Sequence, residues 1–125
     1  LKDQLIKNVD IPQDISIKKI INYCIENACN DNISRSTLSR HFLLSPSYIS
    51  RIFSEKIGIE FVEFINSQRI DQACKLLKFS NMTITEIKYA CGFKSQATFN
   101  RCFKKLLGTT PQTYRKLHSA QQKNQ

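Results

Sequence analysis

The segment Ile84–Leu107, ITEIKYACGFKSQATFNRCFKKLL, has the pattern of two short helices joined by a tight turn. Thr83 can cap the first helix, and Glu86, three residues later, completes a capping box. Gly92 suits the left-handed conformation that ends a helix, and Ser95 can cap the next one. The second helix has an apolar stripe at helical spacing, formed by Phe99, Cys102, Phe103, Leu106 and Leu107. The segment therefore predicts a helix–turn–helix.

The opposite face of the second helix is polar and basic and carries no acidic side chain. It consists of Gln96, Ala97, Asn100, Arg101, Lys104 and Lys105. Amide, guanidinium and ammonium groups are suited to base edges and phosphates. A helix–turn–helix whose second helix presents such a face is the usual way to place a helix in a DNA major groove.

Positive charge is concentrated in the second half of the chain. The 125 residues carry a formal net charge of +9, and 41% of them are hydrophobic, which is enough for one domain or two very small subdomains. All ten acidic residues lie at or before Glu86, so the last 39 residues carry eight of the nine net charges. A charge run is most often only a solvated surface. Here it coincides with a helix–turn–helix, which favours a polyanionic partner.

The first half of the chain repeats the motif. Six residues recur fifty positions later: Ser45 as Ser95, Ile49 as Phe99, Arg51 as Arg101, Phe53 as Phe103, Ile57 as Leu107 and Gly58 as Gly108. The preceding helices match at an offset of 49, which pairs Leu38 with Ile87 and makes the second turn one residue longer. The outer face of the first reading helix is formed by Ser47, Ser50, Arg51 and Ser54. The sequence therefore predicts two helix–turn–helix units.

The remaining segments also predict helices. An amphipathic helix follows the N-cap candidate Asp14, and the segment Glu60–Phe79 lacks glycine and proline and has apolar residues at helical spacing. Thr110 and Pro111 provide the cap and the first residue of a last short helix, in which Tyr114 and Leu117 are expected to pack against the second unit.

Together these patterns predict an all-α fold of about seven helices, with two helix–turn–helix subdomains joined by a long linker helix. The predicted parts are a lead-in or linker (1–13), the first subdomain (14–58), the linker helix (59–80), the second subdomain (81–118) and a flexible tail (119–125). A helix of about 20 residues is roughly 30 Å long, and successive major grooves on one face of DNA lie about 34 Å apart. A linker helix of this length can therefore hold the two reading helices in adjacent major grooves without dimerisation.

The cysteines and histidines favour neither a metal site nor catalysis. The five cysteines form no CxxC pair, and the two histidines, His41 and His118, are far apart in sequence. Cys24, Cys91 and Cys102 fall on apolar stripes, so we expect buried, reduced thiols in a reducing cytosol. The sequence contains no P-loop, catalytic triad pattern, signal peptide or run of 18 apolar residues. These observations predict no enzyme activity, no catalytic residue, no metal, no cofactor and no membrane partner.

Three stretches resemble the AraC/XylS family of bacterial transcription regulators: LSPSYISRIFSEKIG (44–58), FINSQRIDQACKLL (64–77) and ITEIKYACGFKSQATFNRCFKKLLGTTPQTYRK (84–116). The resemblance covers about residues 16–117. It implies a double helix–turn–helix domain that binds double-stranded promoter DNA and commonly activates transcription through RNA polymerase, in the bacterial cytoplasm at the nucleoid. Many members carry a sensing or dimerisation domain ahead of this unit. We therefore expect a small-molecule effector, if any, to act through a domain outside this chain.

The resemblance also assigns base contacts, most of which the analysis of helix faces indicates independently. In the first reading helix (about 46–57) they fall on Ser47, Ser50 and Arg51, and in the second (about 96–107) on Gln96, Thr98, Asn100 and Arg101. Thr98 rests on the resemblance alone. Arginine suits guanine and Gln or Asn suits adenine, whereas short serines predict weaker discrimination in the first half-site. Phosphate contacts are expected from Arg35, Arg40, Lys94, Lys104 and Lys105.

Three residues depart from the family pattern. Ser39 and Lys88 stand where the family usually has alanine, and the ammonium of Lys88 must reach water or a phosphate along its apolar stem. Leu43 replaces the usual turn glycine, so this turn is either strained or differently shaped. An alternative function is a helical protein-interaction or non-specific nucleic-acid-binding module, whose basic face would tolerate lysine in place of Arg101.

Overall fold

The computed structural model describes residues 17–119, in which every regular element is a helix. The seven helices of this part are α1 (Ile17–Asn27), α2 (Arg35–Phe42), α3 (Pro46–Arg51), α4 (Phe61–Phe79), α5 (Ile84–Ala90), α6 (Gln96–Leu107) and α7 (Pro111–His118). A π-helical segment, Ile52–Ile57, continues α3. The predicted all-α fold is confirmed, whereas the predicted lead-in, the N-cap at Asp14 and all of the tail after residue 119 lie outside the described residues.

The described chain divides into two compact units. The first consists of residues 17–27 and Asn32–Phe64, and the second of Ala28–Asp31 and residues 65–119. The division falls inside α4, which is one uninterrupted helix of 19 residues. Each unit therefore contains one helix–turn–helix, formed by α2 and α3 in the first and by α5 and α6 in the second. None of the helices described here is long and apolar enough to cross a membrane.

Side-chain caps define where the short helices begin. Thr83 and Glu86 form the predicted capping box, in which the Thr83 hydroxyl oxygen accepts from the Glu86 N–H (3.1 Å) and the Glu86 carboxylate accepts from the Thr83 N–H (2.8 Å). Hydrogen bonds from Thr83 lower the pKa of the Glu86 carboxyl. Ser45 and Ser95 cap the two reading helices, each by accepting the N–H of the residue three positions later. The caps that the sequence assigns to Thr83, Ser45 and Ser95 are correct.

Both turns contain a residue in the left-handed conformation at the same place in the repeat. Leu43 has φ 57° and Gly92, its counterpart at an offset of 49, has φ 92°. The next residue in each unit closes the turn with a backbone hydrogen bond five residues back, from the Leu44 N–H to the Ser39 carbonyl and from the Phe93 N–H to the Lys88 carbonyl, each 3.1 Å. Both turns therefore contain one left-handed residue and the same hydrogen bond five residues back, although the second turn is one residue longer, and the strained alternative for Leu43 is the one observed.

The ends of the two reading helices differ despite the sequence repeat. In the second unit the Gly108 N–H donates to the carbonyl four residues back, that of Lys104 (2.8 Å). In the first unit the Gly58 N–H donates five residues back, to the carbonyl of Phe53 (2.7 Å). The spacing of apolar residues determines which face of a helix is buried, but it does not determine which carbonyl each amide selects. The π-helical turn was therefore not predictable from the repeat.

Aromatic rings fill the core of the second unit in a continuous row. Phe93, Phe99, Phe103 and Tyr114 follow one another with ring centroids 5.3, 6.0 and 5.5 Å apart. Three leucines predicted to be buried are instead largely at the surface, since Leu106, Leu107 and Leu117 are 51%, 37% and 61% exposed. The rings occupy the core, so the last turns of α6 and α7 contribute little to it. Cys102 is only half-buried.

We predict that Leu43→Gly raises the free energy of unfolding by about 1 kcal/mol, because it removes the cost of a left-handed leucine. The Leu43 side chain is 89% exposed, so its loss sacrifices little packing. The matched control is Gly58→Ala, which places a side chain at φ 86° with no atom within 4 Å of the new Cβ. This control should lower stability through backbone strain alone. Urea unfolding measures both, and a destabilised Leu43→Gly variant would contradict the assignment of strain.

Candidate nucleic-acid interface

Helix α6 presents the polar surface that the sequence predicts for base reading. Asn100 and Arg101 are exposed, and the Gln96 side-chain amide donates to the Asn100 amide oxygen at 3.0 Å. Thr98 is half-buried, and its hydroxyl oxygen accepts a hydrogen bond from the hydroxyl of the helix cap Ser95 at 3.1 Å. Gln96 and Asn100 thus form a hydrogen-bonded pair of side-chain amides, and the exposed Arg101 follows Asn100 directly in the sequence.

The reading face of the first unit is less open. Ser47 is exposed, whereas Ser50 and Arg51 are half-buried. The Arg51 Nε donates to a Glu55 carboxylate oxygen at 3.3 Å, and its guanidinium lies 5.9 Å from the centre of the Tyr48 ring. Arg51 must release or share Glu55 before it can bind a base. Sequence analysis did not identify Glu55 as part of the interface, although its spacing of four residues from Arg51 indicates an ion pair on a helix.

The basic residues predicted to bind phosphates fall into two groups. Arg40, Lys94, Lys104 and Lys105 are exposed. Arg35 is half-buried, with its guanidinium 5.7 Å from the centre of the Phe61 ring and its Nε buried without a hydrogen-bond partner among the described residues. It lines a cavity of about 270 Å³ together with Ser50, Arg51, Ser54, Glu60 and Phe61.

Other arginines hold the second unit together. Arg115 donates to the carbonyls of Leu76, Leu77 and Ser80 at 3.2–3.5 Å, so it caps the C-terminal end of α4. Arg69 donates to the carbonyls of Ala28 and Asn30 at 2.6 and 3.1 Å. Part of the positive charge counted in the sequence therefore neutralises helix ends and loop carbonyls within the protein, which the charge pattern alone did not indicate.

Ser39 and Lys88, the two polar residues that depart from the family pattern, are accommodated by different contacts. The Ser39 hydroxyl donates to the Leu44 carbonyl, which adds a side-chain hydrogen bond to the strained turn. Lys88 is only 6% exposed, and its ammonium lies 3.7 Å from the centre of the ring of Tyr89, which is itself at the surface. The ammonium is therefore stabilised by a cation–π contact at the edge of the core.

A family model described as "Helix-turn-helix domain" matches residues 38–117, which include most of the first motif, α4 and the whole second motif. The chain belongs to the AraC/XylS family. It is 32% identical over 104 residues to the arabinose operon regulatory protein of Escherichia coli (strain K12), an alignment that covers 83% of this chain and 36% of that protein. The chain spans 36% of the length of this relative and 14% of the length of an HTH-type transcriptional regulator from Staphylococcus aureus (strain MSSA476). As a DNA-binding regulator domain of this family, it is not an enzyme.

Solved AraC-type domains have the same fold. The C-terminal domain of AraT, a response regulator from Geobacillus stearothermophilus, superposes with a TM-score of 0.78 at 25% identity, covering 86% of this chain and 90% of that one. The DNA-binding domain of AdpA, a global transcriptional factor solved in complex with a target DNA, superposes with a TM-score of 0.76 at 24% identity, covering 86% and 96%. The double helix–turn–helix architecture is thereby confirmed.

We predict that Glu55→Gln strengthens binding to every duplex. The change frees Arg51 and removes a carboxylate from a reading helix, and an exposed ion pair is worth about 0.2–1 kcal/mol, so affinity should rise roughly 1.4- to 5-fold. Asp71→Asn is the matched control, because it removes the partner of Lys75 (3.7 Å) in another exposed pair at the same spacing, on α4. Fluorescence anisotropy with a labelled duplex measures both. If the two variants gained the same affinity, the change in net charge, and not the release of Arg51, would explain the effect.

Proposed function

We propose that this domain reads one asymmetric promoter site as a monomer, with residues 46–57 and 96–107 in adjacent major grooves of the same duplex. The observation that supports this most directly is the repeat of the reading unit, with a left-handed residue at Leu43 and at Gly92 and a serine cap on each reading helix. A chain with two reading units carries two half-site contacts without a partner chain. The preferred site is then two different boxes in one orientation, because the two reading faces differ in sequence.

The length of α4 is compatible with this arrangement. Its 19 residues span about 28 Å at a rise of 1.5 Å per residue. The separation of successive major grooves on one face of DNA is about 34 Å. A continuous helix between the units also restricts the spacings at which both can bind, so the two boxes should tolerate little variation in separation.

In this proposal the two units contribute unequally to sequence specificity. In the second unit, Arg101 donates to a guanine and the Gln96–Asn100 pair reads an adjacent base, with Thr98 near the helix start. In the first unit, Ser47, Ser50 and Arg51 face the groove, but the serines are short and Arg51 is engaged by Glu55. Phosphates are bound by Arg35, Arg40, Lys94, Lys104 and Lys105, which position the helices without selecting sequence. The second unit therefore supplies most of the specificity.

The wider role follows from the family. We propose that the chain is the C-terminal part of a longer bacterial regulator that acts in the cytoplasm at the nucleoid, activates transcription and contacts RNA polymerase. An effector, if one exists, binds to a domain outside these residues. The short share of its relatives that this chain spans is consistent with such an arrangement.

The proposal is tested by selecting binding sites from a randomised duplex pool with the purified chain at near-physiological salt. We expect an asymmetric motif of two short boxes about one helical turn apart. Recovery of a single box would overturn the two-groove arrangement and leave one reading unit. No enrichment, with affinity that falls steeply as salt rises, would indicate the alternative of a non-specific polyanion-binding module.

Arg101→Ala and Lys104→Ala separate base reading from phosphate binding on the selected site. Arg101→Ala should cost about 1–3 kcal/mol on that site and relax the preference at one base position. Lys104→Ala, on the same helix, should weaken all duplexes alike and reduce the salt slope by about one. Affinities for the selected site and its single-base variants measure the difference. If both substitutions weaken every sequence equally, Arg101 does not read a base.

A further inference from the structure

The second unit brings together two cysteines that are 62 positions apart in the sequence. Cys29 lies in the loop Ala28–Asp31 and is half-buried, whereas Cys91 caps the C-terminal end of α5 and is fully buried. Cys29 packs against the core cluster that contains Cys91, and each thiol shifts the pKa of the other. The spacing in sequence gave no indication of this pair, because the loop reaches the second helix–turn–helix only through the tertiary fold.

Arg69 fixes the loop in this place. Its guanidinium donates to the carbonyls of Ala28 and Asn30, on either side of Cys29, at 2.6 and 3.1 Å. The same guanidinium lies 5.5 Å from the centre of the Phe93 ring, in the turn that follows Cys91. At Gly92 an added Cβ would lie 2.7 Å from the Cys29 carbonyl oxygen. The loop backbone at Cys29 is therefore packed directly against the turn that follows Cys91.

The surroundings make the two thiols chemically different. The hydrogen bond from Cys91 and the positive charge of Arg69 outweigh burial and lower the pKa of Cys29 to about 7. The hydrogen bond to Cys29, together with burial, raises the pKa of Cys91. At neutral pH a substantial fraction of Cys29 is thiolate, the reactive form, while Cys91 keeps its proton. Burial likewise raises the pKa of Cys24, to about 12, which leaves it unreactive.

Cys29 is also accessible to a small oxidant. It lines an open cavity of about 370 Å³ together with Asn30, Asp31, Tyr89, Gly92, Phe93 and Lys94. A peroxide molecule is far smaller than this volume. An attacking thiolate at the cavity wall with a second thiol behind it is the arrangement of a redox-sensitive cysteine and its resolving partner.

We propose that Cys29 and Cys91 form a peroxide-responsive dithiol, whose oxidation to an intramolecular disulfide weakens DNA binding by the second unit. The thiolate of Cys29 attacks one peroxide oxygen, the O–O bond breaks, and the hydroxide released takes a proton from solvent to become water. Cys29 is then a sulfenic acid. The Cys91 sulfur attacks the Cys29 sulfur, an S–S bond forms and the S–O bond breaks, and the departing hydroxide leaves as water with the Cys91 proton. In total, two thiols and one hydrogen peroxide give one disulfide and two waters.

The effect on DNA follows from the lack of space at the turn, and this part rests on the proposed function. A disulfide requires the sulfurs to approach to about 2.05 Å, which is closer than any hydrogen-bonded pair. Cys91 can move towards the loop only if Gly92 moves as well, and the space between Gly92 and the Cys29 carbonyl is too small for one additional carbon atom. Ser95, which caps the recognition helix, is only three residues further on. Oxidation therefore shifts the start of α6 relative to its supporting helix.

The chemistry is tested on the reduced chain with stoichiometric hydrogen peroxide, by alkylation and peptide mass spectrometry. We expect a Cys29–Cys91 cross-link with the loss of two hydrogen atoms. Cys29→Ser should abolish it, and Cys91→Ser should leave a sulfenic acid on Cys29 that dimedone traps. Cys74→Ser and Cys102→Ser are the controls, since each removes another half-buried thiol and should leave the cross-link intact. Absence of the cross-link from the folded wild-type chain would overturn the proposal.

The consequence is tested by measuring the affinity for the selected duplex before and after oxidation. We expect binding to weaken about fivefold or more, within the range of typical coupling between two sites, and to recover with dithiothreitol. Oxidised Cys29→Ser should keep the affinity of the reduced chain. If the disulfide forms and the affinity is unchanged, the switch is wrong but DNA recognition stands. If the reduced chain selects no duplex, the proposed function fails, whereas the mass-spectrometric result still decides the dithiol chemistry.

Discussion

Each reading helix depends on a turn in which one residue takes the left-handed conformation and the next closes a hydrogen bond five residues back. In the second unit Gly92 takes this conformation, and Phe93 donates to Lys88. In the first unit Leu43 takes it at a cost on the order of 1 kcal/mol, and Leu44 donates to Ser39. The Ser39 hydroxyl adds a further hydrogen bond to this turn. The direction in which each recognition helix leaves its supporting helix is set here, so the reading faces depend on these few bonds.

Positive charge serves two different purposes in this chain. Arg69 and Arg115 lie against backbone carbonyls and hold a loop and the end of α4 in place. Lys94, Arg101 and Lys104 extend from the second helix–turn–helix into solvent, where they can meet phosphates and bases. The exposed side chains, with the basic residues of the first reading unit, attract DNA, whereas Arg69 and Arg115 are engaged within the protein. Net charge therefore overestimates the number of residues available for binding.

The local parts of this structure were predictable and the long-range parts were not. The capping box at Thr83 depends on residues three positions apart, and the turn at Gly92 depends on the conformational freedom of a single glycine, so the sequence revealed both. The exposure of Leu106 depends on how far a row of aromatic rings fills the core. The close approach of the Cys29 backbone to the turn at Gly92 depends on a loop that returns from a distant part of the chain. Neither of these two features leaves a periodic pattern in the sequence.

The central claim is that one chain uses both units on one duplex, and the spacing between the two boxes tests it most directly. The selected site would be lengthened between its boxes by about five base pairs, half of a helical turn of roughly 10.5. Because a continuous helix joins the units, we expect affinity to fall to that of a site whose first box is scrambled. Affinity that is unchanged by the half-turn insertion would contradict simultaneous binding in adjacent grooves.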